Sequence, residues 1–228
     1  MADRCLTSAL ARARGMGDPM LIAHILGFLG QTVLALGKPV EAEKILRESL
    51  TLTQEIGYRH GIGNALDGLG LVVQISNPQD ARALFASSCA MYREIGDLQS
   101  LSRALTHQGY NSLALNDWDD AQNAFVQVMR LTRDGGYLPF SLDALVGLAT
   151  IWAKNSNDER ALELVSHVLQ HSAATHDAKS RAEQLRAEIE ARLTPQQIAS
   201  ARMQTSFDQV VARVLGQFDK RETNFIHR

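Results

Sequence analysis

Histidine, aspartate and glycine supply the three local patterns in this chain that invite a chemical reading. His167 and His171 stand four residues apart, with His176 beyond. Histidines one helical turn apart share a face and can hold zinc when further ligands converge on it. No third ligand or general base accompanies this pair, which reads as solvated histidines on a helix. Asp117, Asp119 and Asp120 form an acidic turn. A calcium loop needs a glycine and a distal glutamate in register. The sequence supplies neither, so Asp119 is expected to cap the helix that starts there, with Trp118 covering the turn. Gly37-Lys38 suggests a phosphate-binding loop. Position 32 is threonine where that loop needs glycine, and Pro39 stands where Ser or Thr would meet magnesium.

Cys5 and Cys89 lie far apart in the sequence and read as reduced, small, buried residues. No Ser/His/Asp or Cys/His arrangement has a recognisable local context, and no paired carboxylates share a core face. Neither enzymatic activity, a cofactor nor a metal is expected of this chain.

Bulk properties narrow the field further. The 228 residues are 45% apolar, enough for a sizeable shared core. With 25 acidic and 23 basic residues the net charge is −2, which gives no electrostatic footprint for nucleic acid and no basic face for a membrane. No run approaches the ~18 consecutive apolar residues of a membrane span. The start, Met1-Ala2-Asp3-Arg4-Cys5, leads into an amphipathic helix and not an apolar leader. A cytoplasmic location is expected.

The elements that must position any functional surface announce themselves by repetition. Gly30, Gly70, Gly109 and Ala149 recur at steps of 40, 39 and 40. Ala42, Ala81, Ala121 and Ala161 recur at steps of 39, 40 and 40. A large apolar residue follows each alanine by four: Leu46, Phe85, Phe125 and Val165. Gly17, Gly57, Gly96 and Gly135-Gly136 supply helix stop signals in phase with these markers. A glycine inside a helix costs about 1 kcal/mol relative to alanine, so its recurrence marks places where a second helix comes close. The chain is an array of helical hairpins.

These markers resemble the tetratricopeptide repeat: a small residue at the eighth position, alanine at the twentieth, a large apolar residue at the twenty-fourth. The resemblance covers about residues 1–192. The step is about 40 and not the usual ~34, and the closing proline is replaced by Glu55-Ile56-Gly57 and Glu94-Ile95-Gly96. This long variant is similar to repeats in the C-terminal sensor region of bacterial signal-transduction ATPases of the STAND and LuxR type. The resemblance implies an all-α fold, a right-handed α-α superhelix of antiparallel helical hairpins. It also implies a nucleotide-binding switch domain upstream in a parent chain, since no such motif stands here.

In chain order, residues 1–17 read as the second helix of an incomplete repeat, because Ala2, Leu6 and Gly17 are in register with Ala42, Leu46 and Gly57. A half repeat at the start is expected of a piece of a longer polypeptide, and it makes self-association through that end plausible. Four hairpins span residues 18–176, capping helices residues 177–216, and a non-periodic tail residues 217–228. Leu193-Thr194-Pro195 resembles the start of a LuxR-type helix-turn-helix, but no recognition helix or basic surface follows. DNA binding is therefore not expected.

What such an array offers is a concave face lined by first helices. Its inward positions, in the tetratricopeptide pattern, fall on His24 and Gln31, on Asn64, Asp67 and Gln74, on Arg103, Thr106, His107 and Tyr110, and on Asp143 and Thr150. This mixed polar groove suits a protein or peptide partner, or a small polar ligand. The expected function is a non-catalytic binding module, the sensor or interaction region of a larger bacterial regulator. The alternative is a free-standing scaffold that assembles protein partners. A chaperone-type carboxylate clamp would need Lys and Asn where Gly27 and Gln31 stand.

Overall fold

The computed structural model describes residues 2–133, 137–201 and 206–226. Every regular element among them is an α-helix. The first six are α1 (Ala2–Met16), α2 (Pro19–Ala35), α3 (Pro39–Glu55), α4 (Arg59–Val73), α5 (Pro78–Ile95) and α6 (Leu98–Ala114). Then come α7 (Trp118–Arg133), α8 (Leu138–Lys154), α9 (Asp158–Gln170), α10 (His176–Glu190), α11 (Pro195–Ala201) and α12 (Phe207–Ile226). The chain forms two compact units, Met1–Leu115 and Asn116–Arg228. They are called unit 1 and unit 2.

The helix boundaries follow local chemistry. Asp18 accepts from the Leu21 amide at 3.0 Å, and Pro19 opens α2. Asn77 and Asp97 accept in the same way at the starts of α5 and α6. Gly17, Gly57 and Gly96 end their helices with φ of 67°, 67° and 71°, the left-handed stop that glycine adopts without strain. Gly135-Gly136, expected to play the same part, lie outside the described residues. The cap of α7 differs from expectation. It is Asp117 whose Oδ1 accepts from the Asp120 amide, at 3.3 Å, while Asp119 sits inside the first turn. Asn116 turns the chain with φ of 57°, so the acidic residue next to it takes the cap position.

Packing explains the spaced small residues. A β-carbon at Gly30 would lie 2.5 Å from Leu46 Cγ, and one at Gly70 would lie 2.6 Å from Phe85 Cε1. Leu46 and Phe85 are fully buried. Leu46 also abuts Gly68 of the following first helix. Each large residue of a second helix is thus a knob seated among the first helices. Unit 2 repeats the device with Phe125 against Gly147.

Within unit 1 the first helices α2, α4 and α6 touch in succession, while α3 and α5 do not approach each other comparably. The first-helix side is therefore the inner curve of that unit. In unit 2 the first helices α8 and α10 pack together, and α12 folds back onto α7. An Arg213–Glu163 ion pair of 2.6 Å ties α12 to α9. Helix α12 also runs on to Ile226, through residues read from the sequence as a non-periodic tail. Phe218, buried, extends its stripe of Val211, Val214 and Leu215. Cys89 is buried as expected, but Cys5 is exposed, because α1 packs on one side only, against α2.

Candidate binding face

Three consecutive first helices of unit 1 are bridged by polar side chains. Gln31 Nε2 on α2 donates to Asn64 Oδ1 on α4 at 2.9 Å. Arg103 Nη2 on α6 donates to the same Asn64 oxygen at 3.1 Å, and to the Tyr92 hydroxyl on α5 at 3.1 Å. Arg103 Nε lies 3.3 Å from Asp67 Oδ2, and His107 Nδ1 lies 2.9 Å from Asp67 Oδ1. One helical turn separates Arg103 from His107, so both reach down from α6 to a single carboxylate on α4.

Asp67 is completely buried, while the side chains of Arg103 and His107 stay 29% and 25% exposed. The charge is held inside and its partners form the surface. Burial pushes the Asp67 carboxyl up, but His107 and then Arg103 more than offset it, and the pKa ends below the ordinary value. An ionised carboxylate only accepts, so His107 Nδ1 carries the proton of that bond. Asp67 Oδ2 and Arg103 Nε are an ion pair without hydrogen-bond alignment.

A ring cluster flanks this network. The His24 and His60 rings stack with centroids 6.5 Å apart, and His60 meets Tyr92 edge-on at 5.7 Å. His60 Nε2 lies 3.3 Å from Asp97 Oδ2. Burial lowers the His60 pKa, Asp97 raises it, and Arg103 and His24 lower it again; the net is a fall. Met20 and Phe28 are exposed on α2, with Phe28 edge-on to His24 at 4.9 Å. The face therefore pairs an apolar and aromatic wall on α2 with a polar floor across α4 and α6.

Of the residues expected on the groove, the structure joins Gln31, Asn64, Asp67, Arg103 and His107 in one network, with His24 beside it. Gln74 is half-buried at the C-cap of α4. Tyr110 is half-buried on α6. Thr106 is buried and its hydroxyl donates to the Ser102 carbonyl at 2.8 Å, so it has no proton to give a ligand. In unit 2, Asp143 accepts from Arg181 at 2.9 Å, and Thr150 donates to the Val146 carbonyl at 2.9 Å. Gly27 also acquires a reason. The Asn64 amide nitrogen lies 2.5 Å from where a β-carbon at residue 27 would be. A side chain there, as a carboxylate clamp requires, would displace Asn64 from the ladder.

Residues 21–94 match the tetratricopeptide repeat. That stretch runs from α2 to the last turn of α5. The fold is similar to the crystal structure of BtubC (BKLC) from P. vanneervenii, with a TM-score of 0.61 at 14% identity. The match covers 97% of this chain and 85% of that one. No protein of curated function matches the sequence. The chain has a tetratricopeptide-like helical-repeat fold.

Periodicity on the first helices missed Tyr92 and His60. Tyr92 occupies a fully buried core position of a second helix, and its hydroxyl accepts from Arg103 there. His60 stands in the first turn of α4, next to the Asp97 cap of α6. Among the described residues, no three His, Cys, Asp or Glu side chains group to hold a metal ion. No helix among them is long and apolar enough to cross a membrane.

Proposed function

We propose that the chain is a protein-interaction module that takes an extended or helical segment of a partner along the inner, first-helix face of unit 1. The observation that carries this reading is the Gln31–Asn64–Arg103 ladder. It holds polar groups in fixed positions across three successive repeats, beside the exposed Met20 and Phe28. Preorganised donors and acceptors next to apolar wall area suit a peptide, whose backbone is polar and whose side chains alternate. Repeats of this type generally act as non-catalytic scaffolds, and burial raises the Cys89 thiol to about 12, which removes the thiol nearest the network as a nucleophile. The long repeat step and the Glu-Ile-Gly closures at residues 55–57 and 94–96 support a sensor region of a larger regulator as the setting.

Selection of a random peptide library on the intact chain tests the reading. Recovered peptides are expected to lose binding on Asn64→Ala and Arg103→Ala, and to keep it on Lys44→Ala, an exposed position of α3. Peptides indifferent to Asn64 and Arg103 would place recognition elsewhere.

A further inference from the structure

A second concavity, of about 730 Å³, lies wholly within unit 2 between α12 and the ends of α7, α8 and α9. Its volume is that of a drug-sized ligand site. Leu138, Phe207, Val211 and Leu215 give it an apolar wall. The polar part of the lining is specific in hydrogen-bond sense. Thr132 Oγ1 lies 2.7 Å from the Val128 carbonyl oxygen, so its proton is committed there. Ser141 Oγ lies 2.5 Å from Thr132 Oγ1 and must donate to it. Ser141, a residue 4% exposed, is left with an oxygen that can accept but has no proton to give. His171, also in the lining, accepts at Nδ1 from the Ala173 amide at 3.1 Å, so the neutral ring carries its proton on Nε2. Asp208 adds negative charge to the lining, and Arg133, which also lines it, is already engaged.

We propose that this cleft binds an uncharged small molecule with an apolar body and a terminal O–H or N–H group that donates to Ser141 Oγ. The apolar body takes the wall formed by Leu138, Val211 and Leu215. A terminal hydroxyl donates to Ser141 Oγ and keeps its own oxygen as an acceptor. A carboxylate brings only acceptors to a serine that needs a donor, and the lining carries one charge of each sign, Arg133 and Asp208, which gives it no net preference for an anion. This site is separate from the face of unit 1 and does not depend on the function proposed for it.

Calorimetric titration of the intact chain with 1-octanol and with sodium octanoate tests the proposal. Saturable 1-octanol binding, at least tenfold tighter than octanoate, is expected. Ser141→Ala removes the acceptor and leaves the Thr132–Val128 bond intact. It should weaken 1-octanol about fivefold, the worth of one net hydrogen bond. Gly216 lines the cleft and nothing lies within 4 Å of a β-carbon built there, so Gly216→Leu grows into open space. That variant should melt no lower than the parent and lose 1-octanol binding at least tenfold. Absence of saturable binding, octanoate equal to 1-octanol, or an affinity that Gly216→Leu leaves unchanged would each overturn the assignment.

Discussion

The Asp67 carboxylate and the His107 imidazole, forty residues apart in the chain, meet at 2.9 Å across two first helices of unit 1. Asp67 has no exposure to water, so its bond to His107 is made in a medium of low dielectric, where leaving a partner unmatched is costly. Asp67→Asn and His107→Gln should each destabilise unit 1, by about 1–3 kcal/mol. The double variant should cost less than the two single changes added, with a coupling of about 0.5–3 kcal/mol. Urea denaturation of the four proteins measures this. Strict additivity would mean that the two groups do not depend on each other.

Gly70 and Phe85 give a prediction of opposite sign to helix propensity. Alanine is the better helix former by about 1 kcal/mol. Its β-carbon would sit 2.6 Å from the ring of Phe85, which is buried and enclosed. Overpacking of that kind costs roughly 1–3 kcal/mol, so Gly70→Ala should lower the denaturation midpoint. Gly15→Ala on α1, where nothing lies within 4 Å, should leave it unchanged or raise it. Adding Phe85→Leu to Gly70→Ala should recover part of the loss, because leucine shortens the knob.

The same glycines show why the fold was legible. A spaced glycine facing a spaced Leu or Phe is a steric requirement that leaves its mark directly in the residue types, as Gly30 with Leu46 does. The expected positions of Gln31, Asn64, Asp67, Arg103 and His107 come from the inward positions of the tetratricopeptide pattern, and the helices carry these five side chains into one network. The pattern does not say how deep each position lies. Thr106 shares the face and is buried, its hydroxyl returned to its own helix. Nor does it show a core tyrosine whose hydroxyl accepts from Arg103, as that of Tyr92 does. The cleft beneath α12 was invisible for a different reason. It depends on where the last helix docks on α7 and α9, which no local pattern encodes.

Arg103 reaches three partners at once, Asn64, Tyr92 and Asp67, through a planar head. Lysine keeps the charge but has one nitrogen on a flexible stem and cannot reproduce the fork. Arg103→Lys should therefore lower stability by about 1–2 kcal/mol, the worth of one or two hydrogen bonds. It should also weaken peptides selected on the intact face. Tyr92→Phe removes one arm only and should produce the smaller effect of the two. Parallel urea melts and peptide titrations on both variants give the ranking, and a larger loss for Tyr92→Phe would remove Arg103 from the centre of the network.

His60 in unit 1 and His167 in unit 2 both have pKa values below the ordinary histidine value, burial being the largest cause in each. The unfolded chain therefore takes up these protons first as pH falls. Stability is fully present above the unfolded histidine value of about 6.5 and declines as pH drops through it. Asp67 and Asp97 are shifted downward and stay ionised in that window, so their contribution is lost only at more acidic pH. The melting temperature should thus be lower at pH 5.5 than at pH 7.5. His60→Gln and His167→Gln should each narrow the difference, and the double variant should narrow it most. Both histidines are only partly buried, so the effect is screened by solvent and each single variant removes a fraction of it. A melting temperature that rises between pH 7.5 and 5.5 would show that Asp97 beside His60, and Glu163 beside His167, outweigh burial.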